Sequence, residues 1–230
     1  MWPTLGRASL RNAYLAVAVV CFAFIGTAQA TIHVVSLGTN APPPKLGGFS
    51  VTPFAADPVA DGTVVSTGPG PNGHNLSFNP SMAKYTAQGS WNNWSNGYAG
   101  TVYFEDGTTE TVTLPGLTRA FYLYSEGNDF ATINITVTSD SGATLTQSVT
   151  TPNGAEGFGI FTDAEDTIAT VTIDAPTAAA GFAIGEFGIF VGAGVGPPVA
   201  VPTLSQSTLL LLALLLLGCG VYVQRRRNSR

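Results

Sequence analysis

Hydrophobic and polar residues alternate along the middle of this chain with a period of two. Ile133, Ile135 and Val137 fall on one side of a run whose other side is Thr132, Asn134, Thr136 and Thr138. Thr109, Thr111 and Thr113 likewise alternate with Glu110, Val112 and Leu114. Successive side chains of an extended chain point to opposite faces, so these runs predict half-buried strands. Similar β-rich runs occupy residues 31–36, 62–67, 97–104, 119–124, 143–150, 157–161, 167–174 and 182–191. Gly, Pro, Asn and Asp separate them, and no helical period persists between residues 31 and 200. About ten strands at this spacing predict an all-β domain over residues 31–191. The expected architecture is an antiparallel β-sandwich of jelly-roll type, with an up-and-down barrel as the alternative. Glu105-Asp106-Gly107 and Ser139-Asp140-Ser141-Gly142 are turn sequences, each expected to close a hairpin. Residues 37–81 carry Ala41-Pro42-Pro43-Pro44 and Gly68-Pro69-Gly70-Pro71-Asn72-Gly73, and read as turns and extended connections.

One apolar run at each end breaks this pattern. Arg7 and Arg11 precede an apolar stretch at 13–26, which is short for a membrane span but suits a secretory signal peptide over residues 1–30. Ala28-Gln29-Ala30 is a small-x-small site, so signal peptidase is expected to cut after Ala30. The alternative is an uncleaved anchor. At the other end, residues 192–200 form a Gly/Pro linker. A Leu-rich run follows, giving one transmembrane helix at about 206–224. Arg225, Arg226 and Arg227 close the chain with Arg230, and the positive-inside rule keeps them cytoplasmic. The bulk of the protein is therefore expected outside.

Charge and cysteine usage agree with export. The 230 residues are 45% hydrophobic and 10% charged, which excludes an intrinsically disordered chain. The net charge of −5 hides its distribution: residues 31–200 hold three basic and all fourteen acidic residues, a net of −11. Such a surface repels nucleic acid. Cys21 and Cys219 both lie in the terminal segments. The middle domain therefore has no disulfide, thiolate zinc site or cysteine nucleophile, and must be held by its core.

Val201-Pro202-Thr203-Leu204-Ser205, the apolar helix and the Arg-rich end together resemble the IPTL-CTERM sorting segment, a bacterial relative of PEP-CTERM. That family has Ile-Pro-Thr-Leu-Ser before its helix; Val201 replaces the Ile, and Gln206-Ser207-Thr208 stands where Glu-Trp-Gly is common. The likeness covers about 30 residues, 201–230. It implies an exosortase-like membrane transpeptidase as partner, transient residence in the inner membrane, and delivery to the cell surface or extracellular space. A plain single-span anchor is the alternative. Residues 42–191 also resemble an uncharacterised secreted domain of bacterial surface proteins. That resemblance rests on Thr52-Pro53-Phe54-Ala55-Ala56-Asp57, Trp91-Asn92-Asn93-Trp94-Ser95-Asn96-Gly97-Tyr98, Phe121-Tyr122-Leu123-Tyr124 and Phe182-Ala183-Ile184-Gly185-Glu186-Phe187-Gly188-Ile189. It implies no activity.

Candidate chemistry is sparse. His33 and His74 are the two histidines, and no Gly-x-Ser-x-Gly occurs. The ordinary expectation for His74 is a solvated loop residue. Trp91, Trp94 and Tyr98, set among asparagines, suit a sugar-binding face of stacked rings and amides, with Tyr122 and Tyr124 as extensions. Such residues also pin sandwich cores by their rings. Glu126 and Glu186, beside aromatic strands, are the pair a glycoside hydrolase would use. Asp163, Glu165 and Asp166 form an oxygen-rich loop that suits a structural calcium, although no Asp-x-Asp-x-Asp-Gly loop is present. No other cofactor is expected. The expected function is non-enzymatic: an exported structural or adhesive protein of the envelope or extracellular matrix. The alternatives are a module that binds polysaccharide through Trp91, Trp94 and Tyr98, and a carboxylate-dependent glycoside hydrolase.

Overall fold

The computed structural model describes residues 31–88, 91, 94–151, 154–163 and 166–192. The signal-peptide, sorting-motif and transmembrane expectations fall outside these residues, as do Ala28, Ala30, Val201 to Ser205 and the terminal arginines. Among the described residues no helix is long and apolar enough to cross a membrane.

The described chain is all-β and antiparallel. Its strands are β1 (Ile32–Gly38), β2 (Lys45–Leu46), β3 (Phe49–Ser50), β4 (Thr52–Pro53), β5 (Val64–Gly68), β6 (Leu76–Thr86) and β7 (Thr101–Glu105). They continue as β8 (Thr109–Thr113), β9 (Thr118–Gly127), β10 (Thr132–Ser139), β11 (Thr144–Thr150), β12 (Glu156–Thr162), β13 (Ile168–Asp174) and β14 (Phe182–Val191). One continuous hydrogen-bonded path runs β1-β12-β9-β14-β7-β6-β8-β13-β10-β11, with β4 added to β14 and β5 to β6. This large sheet is nearly closed on itself. From β7 to β14 the chain changes side repeatedly, so that β7-β14-β9-β12 are neighbours on one side and β8-β13-β10-β11 on the other.

β6 joins the two sides. Ser77, Phe78 and Asn79 pair with β8, whereas residues 83–86 pair with β7. Pro80 lies between the two halves and has no N–H to give a ladder. Asn79-Pro80 also hides the strand from a pattern reading, which takes residues 37–81 as connections. Lys84 is buried inside this strand; its ammonium meets Asp61 Oδ1 at 2.8 Å and fixes the turn before β5.

The alternating strands face as expected. Ile133, Ile135 and Val137 are fully buried and pack with Phe121, Leu123, Phe158, Ile160, Val171 and Ile173 in the core between the two sides. Phe187 sits centrally there, stacked on Phe121 and Tyr103 at ring-centre distances of 5.9 and 6.0 Å. The hairpin at 139–142 closes between β10 and β11 as expected. The turn at Glu105-Asp106-Gly107 does not close one: β7 pairs with β6 and β14, β8 with β6 and β13, and the turn carries the chain from one side of the core to the other. A hairpin would have kept the two apolar faces in one layer and left the opposite layer unfilled.

The two outer faces differ. Across β8, β13, β10 and β11, Thr111, Thr172, Thr136 and Thr146 stand in one cross-strand row, with 2.8 Å between the Thr136 and Thr146 hydroxyls. That face is solvated. The outer face of β7, β14, β9 and β12 instead carries a second apolar cluster of Leu46, Val51, Trp94, Val102, Tyr122 and Tyr124. Glycines make room for its rings. A methyl on Gly188 would overlap the ring of Tyr122, and one on Gly157 the ring of Tyr124. Gly188→Ala is therefore expected to destabilise the fold by at least about 2 kcal/mol. Gly116→Ala, with no atom within 4 Å of the new methyl, is expected to change stability by less than about 0.5 kcal/mol. Urea unfolding of the two variants measures this.

Candidate functional site

The most unusual polar residue on the second apolar face is Glu186. Along β14, Phe182 and Ile184 face the core, so strict alternation would drive Glu186 inward as well. The ladder avoids this. Gly185 pairs with Tyr124 and Gly188 with Tyr122, so three steps on β14 match two on β9. This bulge leaves Phe187 facing inward and turns Glu186 to the outer face. Glu186 adopts φ +50° to do so, a conformation uncommon for a residue with a side chain.

The segment around Trp94 folds down onto it. Trp94 Nε1 donates to Glu186 Oε2 at 3.1 Å, and Asn96 Nδ2 donates to the same oxygen at 3.2 Å. A tight turn at Ser95–Gly97 makes this reach, with Asn96 at φ +50°. Ser95 donates its hydroxyl to the Ala155 carbonyl, and Tyr98 donates to the Thr101 carbonyl at 3.1 Å. Tyr124 donates to the Asn40 carbonyl, tying the loop before β2 to the same face. Trp94 is 5% exposed. Trp94 and Tyr98 lie together with ring centres 6.2 Å apart, while half-buried Trp91 lies against Phe104 at 5.7 Å. The aromatic motif is thus mostly turned inward to seal the sheet. Asn92 and Asn93 lie outside the described residues.

Glu126 shares this outer face. It pairs across the ladder with Ala183, a member of the same apolar cluster. It is 3% exposed, and its Oε2 has no hydrogen-bond partner among the described residues. Burial pushes the Glu126 carboxyl up from 4.5 to about 7. Burial raises Glu186 to about 7 too, against the Trp94 and Asn96 donors, which favour its ionised form. Tyr98 is pushed up to about 12 by burial and by the Glu186 charge. Tyr122 and Tyr124 are raised for the same two reasons, burial first. The structure therefore brings Glu126 and Glu186 to one face of adjacent strands, where both are buried carboxyls that hold protons readily.

A third carboxyl was legible only as one member of an alternating strand. Glu110 faces inward with Val112 and is fully buried. Its Oε1 accepts the Asn79 N–H at 2.7 Å, and Oε2 has no partner among the described residues. Burial raises it to about 8, the Asn79 N–H opposes this, and the neighbouring Glu105 adds to it. Asp57 is buried as well: it accepts the Tyr103 hydroxyl at 2.9 Å and the Val59 N–H at 3.0 Å. Glu110 thus joins β8 to β6, and Asp57 anchors the loop before β5.

The acidic loop after β12 divides between two networks. Asp163 accepts from Thr31 N–H at 3.0 Å and lies 3.1 Å from His33 Nε2. Asp166 accepts from the Ser141 hydroxyl at 2.8 Å and the Thr167 N–H at 2.9 Å. Glu165 lies outside the described residues, among which no group of three His, Cys, Asp or Glu side chains is arranged to hold a metal. His33 stacks on Phe161 at 4.8 Å, and half-buried His74 follows the turn Pro71–Gly73.

The raised carboxyls set a pH dependence. When Glu126 or Glu186 keeps its proton in the fold up to about 7, unfolding releases that proton at any pH between 4.5 and about 7. Rising pH then favours the unfolded chain across that interval, and for Glu110 up to about 8. The Glu126 and Glu186 shifts are each worth on the order of 3 kcal/mol, and that of Glu110 on the order of 5 kcal/mol. The thermal midpoint is expected to be highest near pH 4.5–5 and to fall toward pH 8. Glu126→Gln, which keeps the shape without a titratable proton, is expected to flatten the slope below pH 7; an unchanged slope would show that Glu126 titrates normally. In the comparisons with known proteins, no family model, no curated protein and no solved structure matches this chain.

Proposed function

We propose that the chain is an exported, surface-sorted bacterial protein whose β-sandwich serves a structural or adhesive role in the envelope or extracellular matrix. The observation that supports this is an all-β, antiparallel fold whose described strands occupy the stretch expected to be exported. Among the described residues, the first strand begins at Ile32, two residues after the expected cut at Ala30. The last strand ends at Val191, immediately before the Gly/Pro linker at 192–200. The strands of the described residues thus all lie between the two expected processing segments. Its strand order, with β7-β14-β9-β12 facing β8-β13-β10-β11, supports a jelly roll for the exported domain.

The two partners of this reading are signal peptidase at the N-terminus and an exosortase-like transpeptidase acting at Val201 to Ser205. The helix at about 206–224 then holds the protein in the inner membrane until transfer, with Arg225, Arg226 and Arg227 inside. A non-enzymatic role draws support from the use of Glu186 by Trp94 and Asn96, with Glu186 and Trp94 both buried. Burial of Trp94 weighs against Trp91, Trp94 and Tyr98 as an open sugar platform, since a stacking face must reach its ligand.

Mass spectrometry of the protein released from the cell surface tests the proposal. The expected mature form begins at Thr31 and lacks Arg225 to Arg230. A surface form that retains the intact Arg-rich end would overturn the sorting reading.

A further inference from the structure

Asp163 stands directly after β12, beside the start of β1. One of its oxygens accepts the Thr31 N–H at 3.0 Å, the other lies 3.1 Å from His33 Nε2, and its own N–H donates to the Thr31 carbonyl at 3.3 Å. The His33 ring is held flat against Phe161, with 16° between their planes, so it reaches Asp163 from a fixed position. The His33 hydrogen bond and then the Thr31 N–H hold the Asp163 carboxyl below the usual range. These contacts close the end of β1, which among the described residues terminates the sheet path and pairs along it with β12 alone. An end strand is the place where a sheet frays or captures a foreign strand.

In the uncut chain the Thr31 nitrogen is an amide and gives Asp163 one neutral hydrogen bond. Hydrolysis of the Ala30–Thr31 bond consumes one water, leaves a carboxylate on Ala30 and frees the amine of Thr31. That amine takes up a proton at neutral pH. The same atom, already at hydrogen-bonding distance from Asp163, then carries a positive charge and two further donors. We propose that removal of the signal peptide completes this site: Asp163 receives the new Thr31 α-ammonium, and the freed terminus staples end strand β1 to β12. The inference rests on cleavage after Ala30, the reading given above. It makes processing a stabilising event for the folded domain, with the leader-bearing precursor lacking one ion pair at its sheet end.

A double-mutant cycle on the 31–230 chain tests the staple. One arm carries a free Thr31; the other retains Gln29 and Ala30 ahead of it, so that the nitrogen stays an amide. Each is made with Asp163 and with Asp163→Asn, an exposed site where the substitution leaves the core untouched. The free-Thr31, Asp163 protein is expected to melt about 1–4 °C above the other three, as befits one exposed pair. Its Ile32 to Val34 amides are expected to exchange several-fold more slowly. Loss of either partner should remove the gain, and loss of both should cost no more. Equal midpoints in all four, or a gain from the free terminus that persists in Asp163→Asn, would overturn the staple. N-terminal sequencing of the exported protein tests the cleavage reading separately: a terminus other than Thr31 refutes that reading, whereas the cycle reports on the staple alone.

Discussion

A carboxylate cannot face the apolar interior of a sandwich without a partner, and the period of β14 would put Glu186 there. One extra residue resolves the conflict. The bulge between Gly185 and Gly188 lets Phe187 take the core position and sends Glu186 to the opposite face. Much of that face is arranged around the result. Trp94 and Asn96 converge on one Glu186 oxygen, their turn is tied to Ala155 and Thr101 through Ser95 and Tyr98, and Tyr122 lies over the glycine that follows the bulge. A sheet face that would otherwise be solvated becomes a second apolar layer, roofed by sequence-distant loops. Burial of polar groups here is tolerable because each finds a partner or keeps its proton.

How much of this the sequence discloses depends on whether the deciding contact is local. The alternation at 132–138 and 109–114 is a property of one strand, and both strands face as the pattern predicts. β6 was missed because Asn79-Pro80 interrupts its pattern, although the strand continues by changing neighbours at that point. Glu105-Asp106-Gly107 has hairpin chemistry but spans the core, since the partner of each flanking strand is chosen by contacts far along the chain. Trp91, Trp94 and Tyr98 were recognisable as a cluster from their spacing. The burial of Trp94 was not, because it depends on Glu186, some ninety residues later. A charged residue between two glycines in an otherwise apolar run was the available signal for the bulge.

The buried carboxyls also change the meaning of the charge. The formal −11 of residues 31–200 counts Glu110, Glu126 and Glu186 as ionised. All three are pushed toward or above neutrality by burial, so the folded domain carries less negative charge than its composition states. Without cysteine in that domain, no covalent cross-link shares the work of the core. Aromatic stacking around Phe187 and the close approach of rings to glycine backbone take that place.

The position of β14 has a mechanical consequence. This strand carries the chain out of the sandwich at Val191, and it lies inside the sheet, with β9 along one side and β7 and β4 along the other. Tension applied from the C-terminal side therefore enters through an interior strand. It loads two ladders lengthwise at once, in shear, where a terminal strand would peel away one hydrogen bond at a time. A pull on Val191 is thus shared between β9 on one side and β7 and β4 on the other.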